Sequence, residues 1–199
     1  MEPSISNDLN SMIVGELEEH RKLATMLVSE CGHDVLAASR LVERTVRHRG
    51  TIIVAGNGGS SSQSDHIAGE FVGRFRRNRS PYPAISLATS SASMTAIGND
   101  YGYEFVFERQ LAAYARSGDL VIALTTSGKS SNVVRLLKAS LRMKIPSITL
   151  TGNSPEEVCD ISTVTVSVPS SDTARVQEVH LLIGHVLALV GERVILETD

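Results

Sequence analysis

The chain has 199 residues, of which 42% are hydrophobic, and a formal net charge of −3 at pH 7. These values predict one α/β domain with a substantial core, and they give no general electrostatic reason to bind nucleic acid or an anionic membrane. The chain has two cysteines without a CxxC spacing, which predicts a reducing compartment and no disulfides. The N-terminus has no apolar signal core, and no apolar run reaches the ~20 residues that a membrane span needs. Together these features predict a cytoplasmic protein.

The first fifty residues are predicted to form two helices. Apolar residues recur near every 3.6 positions over residues 8–31, which indicates an amphipathic helix, and residues 34–48 predict a second one. Both helices carry more apolar surface than a small sheet needs. A subunit interface could use that surplus, and a purely intramolecular role is equally compatible with the pattern.

From residue 51 onwards, short β-branched runs alternate with helical patterns. The five predicted strands are TIIVAGN (51–57), PAISLAT (83–89), DLVIALTTSG (119–128), PSITLTGN (146–153) and STVTVSVP (162–169). The predicted helices cover 62–75, 92–98, 103–116, 130–143, a short turn near Pro155, and 172–196. This alternation predicts a three-layer α/β/α sandwich around a five-stranded parallel sheet of the flavodoxin or Rossmann type, with ligands outside the carboxyl ends of the strands.

Two predicted strands end in loops rich in glycine and serine. The sequence GNGGSSS (56–62) follows the first strand and TTSGKSS (125–131) ends the third, each just before a helix. Small residues let the backbone approach an anion, and helix N-termini offer free N–H groups. Either loop alone could equally be a glycine turn before a serine N-cap. The two together predict phosphate binding, and their few cationic residues favour a sugar monophosphate over a polyphosphate held with Mg²⁺.

Two segments carry ionisable groups at positions suited to chemistry. His66 and Glu70 lie four residues apart on one face of the predicted 62–75 helix, with Arg74 a further turn along. A local His–Glu hydrogen bond that supports packing is the simpler alternative. The last predicted helix contains four polar residues in an apolar segment: Gln177, Glu178, His180 and His185. Their spacing alone does not determine which of them would contact a metal or a substrate. These group types suit proton transfer beside a sugar carbonyl or a divalent metal such as Zn²⁺.

Six sequence strings together carry a resemblance to a known family. They are AGNGGS (55–60), HIAGEFVGRF (66–75), AIGNDYGYE (96–104), TTSGKSSNV (125–133), TLTGN (149–153) and QEVHLLIGH (177–185). Over nearly its whole length the chain resembles the sugar isomerase (SIS) domain proteins and, within them, the phosphoheptose isomerases. The resemblance implies a single SIS domain over 1–199, in which helices 1–50 form an oligomer interface and 51–199 form the α/β core with its C-terminal helix.

The resemblance also implies an activity. It is the ketose–aldose isomerisation of D-sedoheptulose 7-phosphate to D-glycero-D-manno-heptose 7-phosphate through an enediol, an intramolecular oxidation–reduction that begins ADP- or GDP-heptose synthesis for lipopolysaccharide or capsule. Glu70 and His185 would move the proton between C1 and C2. One zinc ion per subunit would be held by His66, Glu70, Gln177 and His185. The implied assembly is a homotetramer with active sites between subunits.

The resemblance carries over a larger set of substrate-binding residues. In the family these contact the sugar or its phosphate: Asn57, Gly58, Gly59, Ser60, Glu70, Arg74, Asn99, Asp100, Thr126, Ser127, Ser130, Asp172 and Gln177. Asp172 enters this set at a departure from the family pattern. Many members carry an aspartate directly before the basic residue that leads into the last helix, where this chain has Ala174, and Asp172 would substitute for it.

Three rival functions share this architecture. Non-catalytic SIS paralogues bind the replication initiator protein as tetrameric scaffolds, but they lose the residues at the positions of Glu70 and His185, which this chain keeps. A sugar-phosphate-sensing regulatory domain would usually be attached to a helix-turn-helix module, for which the chain has no room. An isomerase for another phosphorylated ketose is not excluded by the loops. The sequence therefore favours the enzyme over the scaffold.

Overall fold

The computed structural model describes residues 4–198, with side chains from residue 8 onwards. Every helix and strand predicted from the sequence is present. The elements are α1 (Ser4–Glu30), α2 (Gly32–Arg47), β1 (Ile52–Gly56), α3 (Gly59–Val72), β2 (Ala84–Ser86), α4 (Ser91–Tyr101), α5 (Val106–Tyr114), β3 (Leu120–Thr125), α6 (Ser131–Arg142), β4 (Ser147–Thr151), α7 (Glu156–Cys159), β5 (Val164–Ser167) and α8 (Thr173–Thr198). A 3₁₀ turn, Tyr103–Phe105, leads into α5.

The five strands form one parallel sheet in the order β2-β1-β3-β4-β5. In the register, Ile52 of β1 lies between Ala84 of β2 and Leu120 of β3. The chain adds β2 on one side of β1 and then crosses to add β3 on the other side. Doubly wound sheets bind ligands at such a reversal, outside the carboxyl ends of the two strands. The topology therefore places the candidate site between the loops that follow β1 and β3.

Alternating strand residues build two separate cores, one on each face of the sheet. One core packs Ile52 and Val54 of β1 against α1, α2, α3 and α8. The other packs Ile53 and Ala55 of the same strand against α4, α5, α6 and α7. Because side chains alternate across a strand, a sheet covered on both faces requires the uninterrupted apolar runs seen in the sequence. This arrangement confirms the predicted three-layer α/β/α sandwich.

Helix α3 begins and ends three residues earlier than the sequence predicted. Gly58 takes a positive φ of 54°, and the N–H of Ser60 donates to the carbonyl of Asn57 at 2.9 Å, so the serines form the first helical turn. At the other end, the N–H of Gly73 donates to the carbonyl of Gly69 at 2.8 Å and closes the helix. The placement of Arg74 on the same helix as Glu70 is therefore wrong, since Arg74 lies in the loop beyond it.

Helix α8 is the longest apolar segment after residue 50 and spans 26 residues. Among the residues that the structure describes, α8 is the one helix long and apolar enough to cross a membrane. Its most apolar 18-residue stretch has a mean hydropathy of 1.7, but 56% of that stretch is buried inside the domain. It packs against α2 and α3 and supplies Val176, Val179, Ile183 and Leu187 to the first core. The apolar sequence of α8 is thus explained by its place as a core helix.

Candidate active site

Two glycines of α8 allow it to pack closely against α3. A Cβ atom at Gly184 would lie 2.6 Å from Cδ1 of Ile67, and one at Gly191 would lie 2.4 Å from Cε1 of Phe71. Both distances are shorter than a side chain tolerates, so these positions require glycine for the helices to approach this closely. The close packing brings the ionisable residues of α3 alongside His185 of α8.

Three ionisable side chains meet where α3 and α8 pack together. Nε2 of His66 lies 3.0 Å from Nε2 of His185 and 3.2 Å from Oε1 of Glu70. The side chain of Glu70 is 19% exposed and that of His66 is 47% exposed, so the cluster opens to solvent on one side. All three ligand atoms lie within 4.8 Å of one another. Two imidazole nitrogens and a carboxylate oxygen are a donor set that suits Zn²⁺.

The ring of Phe75 covers one face of the His185 imidazole. The two ring centroids are 5.4 Å apart and the planes are inclined by 27°, a stacked arrangement. His66 meets His185 edge-on, at 5.2 Å and 61°. His185 is therefore held between an aromatic ring and a second imidazole. Sequence analysis missed Phe75 because it assigned the residue to the apolar end of α3, where nothing in the local pattern indicates a contact with His185.

The structure separates the four polar residues of α8 that spacing could not rank. His185 joins the cluster. Glu178 points to α1, where its carboxylate contacts Nδ1 of His20 at 2.7 Å, and it also accepts from Arg175 at 2.5 Å. The side-chain amide of Gln177 lies against Gly59, the first residue of α3. Thus Glu178 and His185 have different neighbours, although helical rotation puts them on nearly the same face.

His180 is the fourth of these residues and is fully buried. Burial lowers the pKa of His180 to about 4, and the Thr151 backbone offsets part of that shift. Within the part of the chain that the structure describes, neither ring nitrogen has a hydrogen bond of regular geometry. The imidazole is therefore neutral at pH 7 and cannot serve as a proton donor there. His180 is a core residue, which matches the simpler interpretation of a lone histidine on an apolar helix.

The two predicted phosphate loops are joined by a pair of asparagine side chains. Asn57 donates to Oδ1 of Asn132 at 2.8 Å, and Asn132 donates to Oδ1 of Asn57 at 2.8 Å. The hydroxyl of Tyr103 donates to the same Oδ1 of Asn57 at 3.1 Å. The N-terminus of α3 is thereby fixed beside that of α6, where Ser130 is the N-cap residue. Sequence analysis missed Asn132, although an asparagine two residues after Ser130 was a visible polar signal.

The second loop is shaped by a glycine that touches the loop after β4. Gly128 has a φ of 69°, and a Cβ there would lie 2.2 Å from the carbonyl oxygen of Ser154. Thr126 and Ser130 are partly buried, while Ser127 is exposed. The loop therefore brings three hydroxyl groups to the N-terminus of α6. Hydroxyl groups beside the free amides of a helix N-terminus suit a phosphate group.

The remaining predicted substrate residues lie at the ends of helices. Asn99 and Asp100 are exposed near the end of α4, and the Asn99 amide donates to the Asp100 carboxylate at 2.8 Å. Arg74 is exposed beyond α3. Asp172 caps α8, because its carboxylate accepts from the N–H of Ala174 at 2.8 Å. Contacts of these four residues with a substrate stay predictions.

Comparison with known proteins places this site within a family. The family model described as SIS domain matches residues 17–152. A phosphoheptose isomerase of Nitratiruptor sp. is 40% identical over 178 residues, which cover 89% of this chain and 95% of that protein. The solved phosphoheptose isomerase of Neisseria gonorrhoeae superposes with a TM-score of 0.86 at 30% identity, covering 93% of this chain and 99% of that one. The solved phosphoheptose isomerase of Francisella tularensis superposes with a TM-score of 0.87 at 27% identity, covering 92% of this chain and 97% of that one.

Proposed function

Because the chain belongs to the phosphoheptose isomerase family of SIS-domain proteins, we infer that it is an isomerase that converts the ketose D-sedoheptulose 7-phosphate to the aldose D-glycero-D-manno-heptose 7-phosphate. The observation that carries the reaction type is the convergence of His66, Glu70 and His185, two of them on α3, the helix that follows β1 at the switch point of the sheet. A ketose–aldose isomerisation moves one proton between neighbouring carbons, and a carboxylate and an imidazole are the groups that most often do so.

In the proposed mechanism the phosphate binds first and sets the position of the sugar. The amides that begin α3 and α6, with the hydroxyls of Ser60, Thr126, Ser127 and Ser130, would hold the phosphate. Asn57, Gly58 and Gly59 would contact the sugar, and Arg74, Asn99, Asp100 and Asp172 would complete the pocket. This anchoring would place the carbonyl end of the ketose towards the cluster, because the first loop leads into α3 and His66 and Glu70 lie further along the same helix.

The proton transfer would be divided between two residues. The Glu70 carboxylate would remove the proton from C1 of the ketose to give the enediol, and the proton would then be delivered to C2. His185 would donate to and accept from the oxygens of C1 and C2 as they exchange carbonyl and hydroxyl character. Phe75, stacked on the imidazole, would restrict its rotation during these steps.

A zinc ion is the proposed cofactor, one per subunit. The donor set of His66, Glu70 and His185 fits such an ion, since two imidazole nitrogens face each other at 3.0 Å with a carboxylate beside them. Gln177 is the proposed fourth ligand, and its amide would have to turn from Gly59 towards the cluster. Bound there, the ion would act as a Lewis acid on the sugar oxygens.

We further propose that the protein is a cytoplasmic homotetramer whose subunits cover α1. The side chains of Leu9, Met12, Ile13 and Leu17 follow a helical spacing on α1 and are 49% to 66% exposed. A contiguous apolar stripe of this kind usually marks an interaction surface. A second subunit packed against this stripe would give helices 1–50 the interface role expected from the sequence. The proposed isomerase would serve heptose synthesis for a lipopolysaccharide or capsule.

The test is turnover of sedoheptulose 7-phosphate by purified, metal-analysed protein, with and without added Zn²⁺. Fructose 6-phosphate and ribulose 5-phosphate serve as competing substrates. We expect turnover with the heptose, loss on treatment with a chelator and recovery with Zn²⁺. Turnover only with another ketose would change the substrate assignment. No turnover from a stable tetramer that still binds sugar phosphate would favour the non-catalytic scaffold.

A further inference from the structure

Glu192 is a buried carboxylate on α8 that the proposed reaction does not use. The residue is 2% exposed. Its carboxylate accepts hydrogen bonds from three consecutive backbone N–H groups: Phe75 at 3.1 Å, Arg76 at 2.9 Å and Arg77 at 3.0 Å. Successive backbone amides that converge on one anion form a binding concavity, and bonds to a charged acceptor are stronger than neutral ones. The carboxylate therefore fixes the path of the loop that follows α3.

The junction between α3 and this loop is held by Arg79. Its guanidinium donates to the carbonyls of Glu70 at 2.6 Å, Phe71 at 2.7 Å and Gly73 at 3.0 Å. Burial acts to raise the pKa of Glu192, but the loop amides and the nearby Arg79 hold it below its ordinary value. The carboxylate is thus charged at neutral pH, and it holds the amides of residues 75–77 while Arg79 holds carbonyls at the end of α3 and at Gly73.

The loop connects Glu192 to the active site through Phe75. Glu192 follows His185 by seven residues on α8, nearly two helical turns, so both side chains lie on the same face about 10 Å apart along the axis. The loop runs across this face. Its backbone N–H groups contact Glu192, while the Phe75 ring stacks on His185 at 5.4 Å.

We propose that Glu192 is a positioning residue for the isomerase centre. By holding the backbone of Phe75, it keeps the ring stacked on His185 and so fixes the imidazole against His66. The proposal rests on the proposed function for the role of His185 in catalysis. Proton transfer requires hydrogen-bonding reach, and a misplacement of about 1 Å can cost on the order of 100-fold in rate. A loose loop is therefore expected to lower kcat more than it weakens substrate binding.

The kinetic test compares Glu192→Gln, Phe75→Leu and the double variant. The Gln side chain keeps the size of Glu192 but removes its charge and one acceptor. We expect each single change to lower kcat by about tenfold with KM within about twofold, and the double variant to lose no more than either single one. The matched control is Glu197→Gln on the same helix, since Glu197 forms ion pairs with Arg47 and Arg193 at the surface. It should leave turnover unchanged.

Two readouts do not depend on turnover. Hydrogen exchange of the amides of residues 75–77 should accelerate in Glu192→Gln. The ring-current shift that Phe75 imposes on the His185 imidazole protons, measured by NMR, should disappear in Phe75→Leu and shrink in Glu192→Gln. An unchanged His185 resonance, wild-type kcat or additive losses in the double variant would each overturn the proposal.

Two further results keep the test decisive. If Glu192→Gln does not fold, Phe75→Leu carries the test alone, and wild-type turnover in that variant would overturn the proposal. A wild-type protein without isomerase activity would refute the proposed function instead. In that case the exchange and NMR measurements would still decide whether Glu192 orders the loop and the His185 ring.

Discussion

Removing the imidazole of His180 should make the protein less sensitive to acid. Because burial lowers the pKa of this residue from 6.5 to about 4 in the folded state, the unfolded chain binds a proton more readily between these values. The contribution of the neutral His180 to the free energy of unfolding is therefore complete above pH 6.5, and it is lost as the pH falls from 6.5 towards 4. Below pH 4 both states carry the proton and the loss levels off.

The size of this effect follows from the shift. A difference of about 2.5 pH units between the two states, at roughly 1.4 kcal/mol per unit, makes the free energy of unfolding about 3 kcal/mol lower at pH 4 than at pH 7 on account of His180 alone. Carboxylates also take up protons in this range. The informative quantity is therefore the difference between the wild type and His180→Leu, which cancels the groups that both proteins share.

The assay is urea unfolding of both proteins at several pH values from 4 to 7.5, at one protein concentration so that subunit association contributes equally. We expect the stability of the wild type to fall by about 3 kcal/mol more than that of His180→Leu between pH 7 and pH 4. His33→Gln, which removes an exposed imidazole, is the control. Parallel curves for the wild type and His180→Leu would refute the reasoning.

Two further substitutions test the packing and the loop geometry. Gly191→Ala places a Cβ 2.4 Å from the ring of Phe71 and should lower the free energy of unfolding by about 1–3 kcal/mol. The control is Gly69→Ala, whose added Cβ meets no atom within 4 Å, so this change should be neutral or stabilising. Equal stability of the two variants in urea would contradict the close approach of α3 and α8. Asn132→Ala removes both bonds to Asn57 and should weaken sugar-phosphate binding about tenfold by calorimetry; unchanged affinity would show that the asparagine pair does not shape the phosphate site.

The order and type of the elements were predictable because local signals agree with the final fold. Most strands are β-branched runs closed by glycine or proline, and the longer helices have an apolar periodicity. The start of α3 was not predictable in the same way. Gly58 and Gly59 are typical of a loop, yet the bonds from Ser60 and Ser61 back to Asn57 and Gly58 start the helix at Gly59.

The site was predictable to the extent that it follows from helical spacing. His66 and Glu70 share a face at four residues apart, and this pair meets at 3.2 Å as expected. Spacing could not select His185 over His180, because the choice depends on which side of α8 faces α3. Glu192 carried no local signal at all, since its partners are backbone amides from residues 75–77, over a hundred positions away.

The most direct test of the account is the turnover of Glu70→Gln with sedoheptulose 7-phosphate, measured beside its substrate affinity and at matched metal content. The account predicts that turnover falls by at least about 100-fold, because the variant cannot accept the C1 proton, while the sugar phosphate still binds through the loops at α3 and α6. Near-normal turnover in a variant that binds substrate and metal as the wild type does would show that Glu70 is not the base, and the catalytic assignment would be wrong.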